Sequence, residues 1–150
     1  MNLLIPPPLV VAILAAAMWG VNRSFDAGRI TSNLQDPLAI ALLVVAVLLM
    51  AAAVAPFVTA KTTINPLRPS NASKLITGSV FRYSRNPIYL ADLLLLAALT
   101  VWLGHLANIV WLVVFVVYIN RFQIRPEEAA LQALFGAEYA TYCARVRRWL

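Results

Sequence analysis

Charge is what this sequence has least of. Only 12% of its 150 residues are charged, against about a quarter in soluble domains. Hydrophobic residues make up 62%. A soluble globular domain is thereby excluded, and a membrane domain is implied. Acidic residues are scarcer than basic ones, six against 12, for a net charge of +6. The one cysteine, Cys143, excludes an internal disulfide and a thiolate metal site. With one histidine and no acidic cluster, no metal site of any kind is expected. Nucleic-acid binding is not expected either, because no soluble platform presents the basic charge. That charge reads instead as topology and headgroup contact. A cleaved leader is not expected: Met1 to Pro8 carries no base and contains three prolines.

What the chain does have is long runs without charge. Leu3 to Val21 is one, with Pro6, Pro7 and Pro8 suited to a first helical turn. Asn22 to Asp36 is polar, and Asp36-Pro37 signals a helix start. Leu38 to Ala60 is a second run, 23 residues long and able to span a hydrocarbon core. Lys61 to Arg85 is a basic connector containing Pro66, Pro69 and Gly78. From Asn86 to Asn120, 35 residues carry one charge, Asp92. A single helix of that length would measure about 52 Å, too long for a core of about 30 Å. The spacing therefore predicts a hairpin of two helices, about 87–104 and 106–123, bending near Gly104, His105 and Asn108. Trp102 and Trp111 flank the bend as interfacial anchors, and His105 is expected to be exposed.

Ten of the 12 basic residues fall between Lys61 and Arg85 or between Arg121 and Arg148. The positive-inside rule puts both stretches in the cytoplasm. The loops at 22–37 and near 105 then face the other side, and both termini are cytoplasmic. Beyond the last run, Pro126-Glu127-Glu128 starts another helix, which Gly136 divides in two. The expected fold is thus all-α: an integral, multi-pass membrane protein of about four transmembrane helices with short C-terminal helices at the cytoplasmic interface. An inner-membrane location follows from that reading.

Several polar residues exceed what helix capping and topology require. Asn86 and Pro87 serve as N-cap and first-turn residues, but Tyr89, Phe81, Tyr83 and Arg85 have no such role. Aromatic faces attract cations, sulfonium included. Glu127 and Glu128 complement a helix N-terminus, or one of them holds a ligand. As helix neighbours they diverge by about 100°, so one atom does not receive both. Asp92 is the one acid within an apolar run, and an acid there reads either as the wall of a polar pocket or as half of an ion pair with Arg121.

These residues together resemble a known family. Thr77-Gly-Ser-Val-Phe-Arg-Tyr-Ser-Arg-Asn-Pro-Ile-Tyr89, Arg121-Phe-x-x-Arg-Pro-Glu-Glu-x-x-Leu131, Phe135-Gly-x-Glu-Tyr-x-x-Tyr142 and Arg145-Val-Arg-Arg-Trp149 are similar to motifs of the isoprenylcysteine carboxyl methyltransferase and phospholipid methyltransferase superfamily. The resemblance covers about residues 70–150. It implies a membrane enzyme that uses S-adenosyl-L-methionine and methylates a lipophilic or prenylated substrate, with the lipid bilayer as its surroundings. Carried over by position, Ser73, Lys74, Leu75, Ile76, Phe81, Asn86, Pro87, Ile88, Tyr89 and Glu127 would contact the cofactor, and Glu128 would be a second-choice contact. Arg121 or Arg125 would orient the substrate. The whole chain, 1–150, would be one methyltransferase domain: 1–60 holds the first two spans and 61–150 the cofactor-binding connector, the hairpin and the C-terminal helices.

The sequence departs from the family pattern at three places. Asn86 stands where the family has His, Ala91 where Gly often follows the Tyr, and Gln123 where an Arg precedes the Glu pair by one turn. A carboxylate substrate would be a ready nucleophile. A phospholipid amine, the rival substrate, would need a proton acceptor. The competing reading outside catalysis is a four-helix membrane scaffold or carrier. Against it, the polar residues gather at one end of the apolar runs and not at their middle.

Overall fold

The structure is a computed structural model that describes residues 5–60 and 74–150. Five α-helices account for most of it: α1 (Pro7–Ser24), α2 (Gln35–Ala60), α3 (Pro87–Leu103), α4 (Ile109–Ile119) and α5 (Arg125–Arg145). Among the described residues there is no strand beyond one isolated bridge between Arg29 and His105. Two helical stretches are long and apolar enough to cross a membrane: α2, and the continuous run Leu106–Arg145 that contains α4. The 17-residue α3 is apolar but shorter.

Helix starts follow the prolines. Pro7 and Pro87 occupy first turns, where a missing N–H costs no hydrogen bond. Asn86 does not cap α3 with its side chain, which is engaged elsewhere. The α3 helix stops at Gly104, whose left-handed backbone (φ 59°) closes the C-terminus with its N–H on Thr100 and Val101. A 3-10 turn, Leu106–Asn108, then reverses the chain into α4, giving the hairpin that the sequence predicts.

Helices α1, α3 and α4 share one apolar core, centred on Met18, Leu96, Phe115 and Ile119. Helix α2 packs on α3 through small residues. Ala39, Ala46 and Ala53 recur every seventh position on α2 and are buried, as are Ala91 and Ala98 on α3. Methyl-sized contacts let two apolar backbones approach closely, which matters where lipid is as apolar as leucine. The opposite face of α2, including Ile40, Val44, Val47 and Leu48, is exposed.

The two ends of the bundle differ. At one end, the loop after α1 meets the hairpin bend. Ile30 N–H donates to Gly104 O at 2.7 Å, Leu106 N–H to Gly28 O at 3.0 Å, and the Gln35 amide to Trp102 O at 2.7 Å. This loop covers His105, which is 3% exposed, contrary to the exposed position expected for it. Its Nδ1 accepts from Ala107 N–H at 3.3 Å. At the other end lie the start of α1, the end of α2, the start of α3 and the junction of α4 with α5. The candidate site is built there.

That junction is not a plain helix. Asn120–Ile124 forms one π-helical turn, which inserts a residue and rotates all that follows. Gln123, on this turn, is fully buried and donates to Ile5 O at 2.6 Å. Further on, Gly136 adopts φ 50° and breaks α5, as the sequence predicts.

Candidate functional site

A cavity of about 310 Å³ opens among these chain segments. Lys74, Leu75, Ile76, Phe81, Asn86, Pro87, Ile88, Tyr89, Glu127 and Glu128 all line it. The structure thus gathers into one space every residue that the sequence pointed to for cofactor contact, except Ser73, which lies outside the described residues. Arg121 and Arg125 are not brought in; both are exposed, Arg121 on the π turn and Arg125 at the first residue of α5. The guanidinium on the cavity wall belongs to Arg85.

Two short elements set the wall. A 3-10 turn, Ser79–Arg82, carries Phe81 inward, where it meets Phe57 of α2 edge-on at 5.5 Å. Tyr142 of α5 donates to Phe81 O at 2.7 Å and so ties the turn to the last helix. The backbone at Asn86 then turns the chain into α3, with the Asn86 N–H donating to Ser84 Oγ at 3.1 Å. One turn into α3, Tyr89 is buried and donates its hydroxyl to Glu127 Oε1.

The adjacent glutamates divide their partners. Glu128 holds Arg85 at 3.2 Å and Arg148 at 2.6 Å, and Arg148 Nε adds a bond at 3.1 Å. Glu127 has Tyr89 and no cationic partner among the described residues. Burial pushes the Glu127 carboxyl up to about 7; the Tyr89 bond opposes that shift, and the Glu128 charge adds to it. Burial likewise raises the Tyr142 phenol to about 12, with Arg85 opposing. The Arg85 Nε is a buried donor without an acceptor among the described residues.

Asp92 is buried, 7% exposed, and lines the same cavity. Among the described residues it pairs with no base, so the expected ion pair with Arg121 is absent and the pocket-wall reading holds. Sequence reasoning also missed several wall residues. Pro7, Pro8, Met50 and Phe57 come from α1 and α2, and α2 is apolar on every face and gives no periodic cue. Leu131, Tyr139 and Tyr142 had a cue in their helical spacing beyond Glu128.

The C-terminal residues close one side. Arg85 N–H donates to Arg147 O at 3.0 Å, Asn86 Nδ2 to Arg148 O at 2.9 Å, and Trp149 Nε1 to Asn120 Oδ1 at 3.3 Å. Among the described residues, the result is an apolar and aromatic chamber with two carboxylates that no base pairs, Glu127 and Asp92, and one guanidinium N–H without an acceptor. Such a chamber suits a ligand that carries a cation and an anionic end.

Residues 34–138 match the family model of phospholipid methyltransferase, a stretch that includes α2, the hairpin and the glutamate pair. An uncharacterized protein of Haemophilus influenzae is 48% identical over 65 residues, which are 42% of this chain and all of that relative. No solved structure matches the chain. With most of its length matched, the chain belongs to the phospholipid methyltransferase family of membrane methyltransferases.

Proposed function

We propose that the chain is an S-adenosyl-L-methionine-dependent methyltransferase acting on a lipophilic substrate whose polar end reaches the membrane interface. The observation that carries this reading is Glu127, a half-buried carboxylate with no cationic partner among the described residues, in an aromatic-walled cavity. S-adenosylmethionine supplies a methyl group activated by a sulfonium charge. Glu127 and the rings of Tyr89 and Phe81 would receive that charge. Lys74, Leu75, Ile76, Asn86, Pro87 and Ile88 would enclose the rest of the cofactor and exclude water. The protein's task is alignment of the acceptor with the methyl carbon, since displacement at that carbon needs no covalent enzyme intermediate.

Arg85 is the guanidinium suited to orient an anionic group within the cavity, through the buried Nε left without an acceptor. That supports a carboxylate acceptor of the isoprenylcysteine type. A second reading, methylation of a phospholipid amine, is favoured by Asp92, a carboxylate on the cavity wall available to take a proton. For topology, we read α1 to α4 as four crossings with both termini cytoplasmic, which puts the cavity at the cytoplasmic interface. The apolar outer face of α2 would meet lipid, and the acceptor would enter from the bilayer.

The test is transfer of labelled methyl from S-adenosylmethionine into extracted membrane lipids by the purified protein. Label in a lipid carboxyl ester, labile to mild base, supports the first reading. Label in a base-stable amine headgroup supports the second. Label confined to water-soluble products overturns both.

A further inference from the structure

Arg148 lies outside every motif position assigned to the cofactor, yet it contacts two residues of the cavity wall, Glu128 and Asn86. Its guanidinium grips Glu128 with two N–H groups, at 2.6 and 3.1 Å, and its carbonyl accepts from Asn86 Nδ2 at 2.9 Å. It thereby holds the residues on both sides of Tyr89 and Glu127. Two adjacent carboxylates in a part-buried site repel, so the charge on one makes the other harder to ionise unless a cation offsets it. Arg85 alone, at 3.2 Å, reaches one oxygen of Glu128; Arg148 reaches both. We propose that Arg148 is a positioning residue that neutralises Glu128 and fixes Asn86, leaving Glu127 as the carboxylate that receives a cationic cofactor. The inference rests on the reading of this cavity as the S-adenosylmethionine site.

The charged and titratable groups that share the cavity wall with Glu127 are Tyr89 and Asp92 from α3, Glu128 beside it, Arg85 before α3, and Tyr139 and Tyr142 from α5. Lys74, also on the wall, is exposed. Removing the Arg148 charge changes the balance at Glu128 first. Glu127 then holds its proton more tightly, and the cofactor competes with that proton over a higher pH range.

The experiment is calorimetric titration of S-adenosylmethionine into the full chain in detergent, from pH 6 to 8.5, for wild type, Arg148→Gln and Arg148→Lys. Circular dichroism and thermal melts establish that each variant is folded. The expected result is an affinity that rises with pH in wild type, a midpoint moved upward by about half a pH unit or more in Arg148→Gln, and a midpoint close to wild type in Arg148→Lys, which keeps the charge. A purely structural role for Arg148 would weaken binding equally at every pH. An unmoved midpoint in Arg148→Gln, or one moved equally in Arg148→Lys, overturns the inference while leaving the site intact. No binding by folded wild type overturns the cofactor reading itself, and this inference with it.

Discussion

The Tyr89 hydroxyl donates to the carboxylate of Glu127, 38 residues further along the chain, and this bond joins the first turn of α3 to the first turn of α5. Glu127 also lines the cavity, where the neighbouring glutamate is already paired. The two acids therefore have different chemistry despite being adjacent. One is a structural counter-ion for two arginines. The other is half-buried, held in place by a phenol, and open to a ligand cation.

Cofactor affinity should rise with pH through about 7. Burial raises the Glu127 carboxyl to about 7, so it is largely protonated at pH 6 and ionised at pH 8. The ionised form attracts a sulfonium, and the protonated form does not. For the folded protein without ligand the sign is opposite. A carboxyl whose folded value lies above its ordinary 4.5 favours folding fully below pH 4.5 and loses that contribution as pH rises through 7. Thermal melts should therefore show stability falling from pH 5 to 8, and Glu127→Gln should flatten that slope. A wild-type affinity independent of pH would contradict the assignment.

Gly104 should not tolerate a side chain. Its φ of 59° is left-handed, and a Cβ there would collide with the Ile30 carbonyl and crowd the Gln35 amide at 2.8 Å. Gly104→Ala should cost about 1–3 kcal/mol through backbone strain and lost packing between loop and hairpin. The comparison is with Gly20→Ala, where nothing lies within 4 Å of the added methyl. Equal melting temperatures for the two variants would show that the hairpin bend is built differently.

Arg85→Lys should reduce turnover more than Arg121→Lys or Arg125→Lys. Arg85 faces the cavity, whereas the other two are exposed beyond it. Lysine keeps the charge but not the forked geometry, so a loss of about tenfold or more is expected at Arg85 and little change at the others. Measured rates of methyl transfer in the reverse order would return the orienting role to Arg121 or Arg125.

The helices and most of the candidate site were legible because both depend on local signals. The 35-residue run around Asp92 exceeded one membrane thickness, and Gly104 marked its bend. Residues from Lys74 to Tyr89 and the glutamate pair were recognisable as motifs and do meet in space. The exposure of Arg121 and Arg125 was not legible, because the π turn that holds Arg121 and ends just before Arg125 has no composition of its own. Nor could spacing show that His105 is buried. The cover comes from Gly28 and Arg29, more than 70 residues earlier, through backbone bonds that any sequence could make. The walls contributed by Met50 and Phe57 were hidden for another reason: α2 is apolar all round, so no face stands out.

Enlarging the α2–α3 seam should destabilise the bundle. Ala46 is completely buried at the centre of α2. Ala46→Leu adds three carbons at a close helix contact, for an expected cost of about 1–3 kcal/mol. Ala41→Leu, on the exposed face of the same helix, is the control. Thermal or denaturant unfolding in detergent that ranks the two alike would argue against the alanine seam.

The most direct test of the account is binding of S-adenosylmethionine to the purified chain, measured by calorimetry near pH 8 for wild type and Glu127→Gln. The substitution keeps the shape of the side chain and removes its charge. The account predicts saturable binding by wild type and an affinity lower by roughly 10- to 150-fold in the variant, the equivalent of about 1.5–3 kcal/mol for a charged hydrogen bond. Equal affinities for two folded proteins, or no binding by wild type, would contradict it.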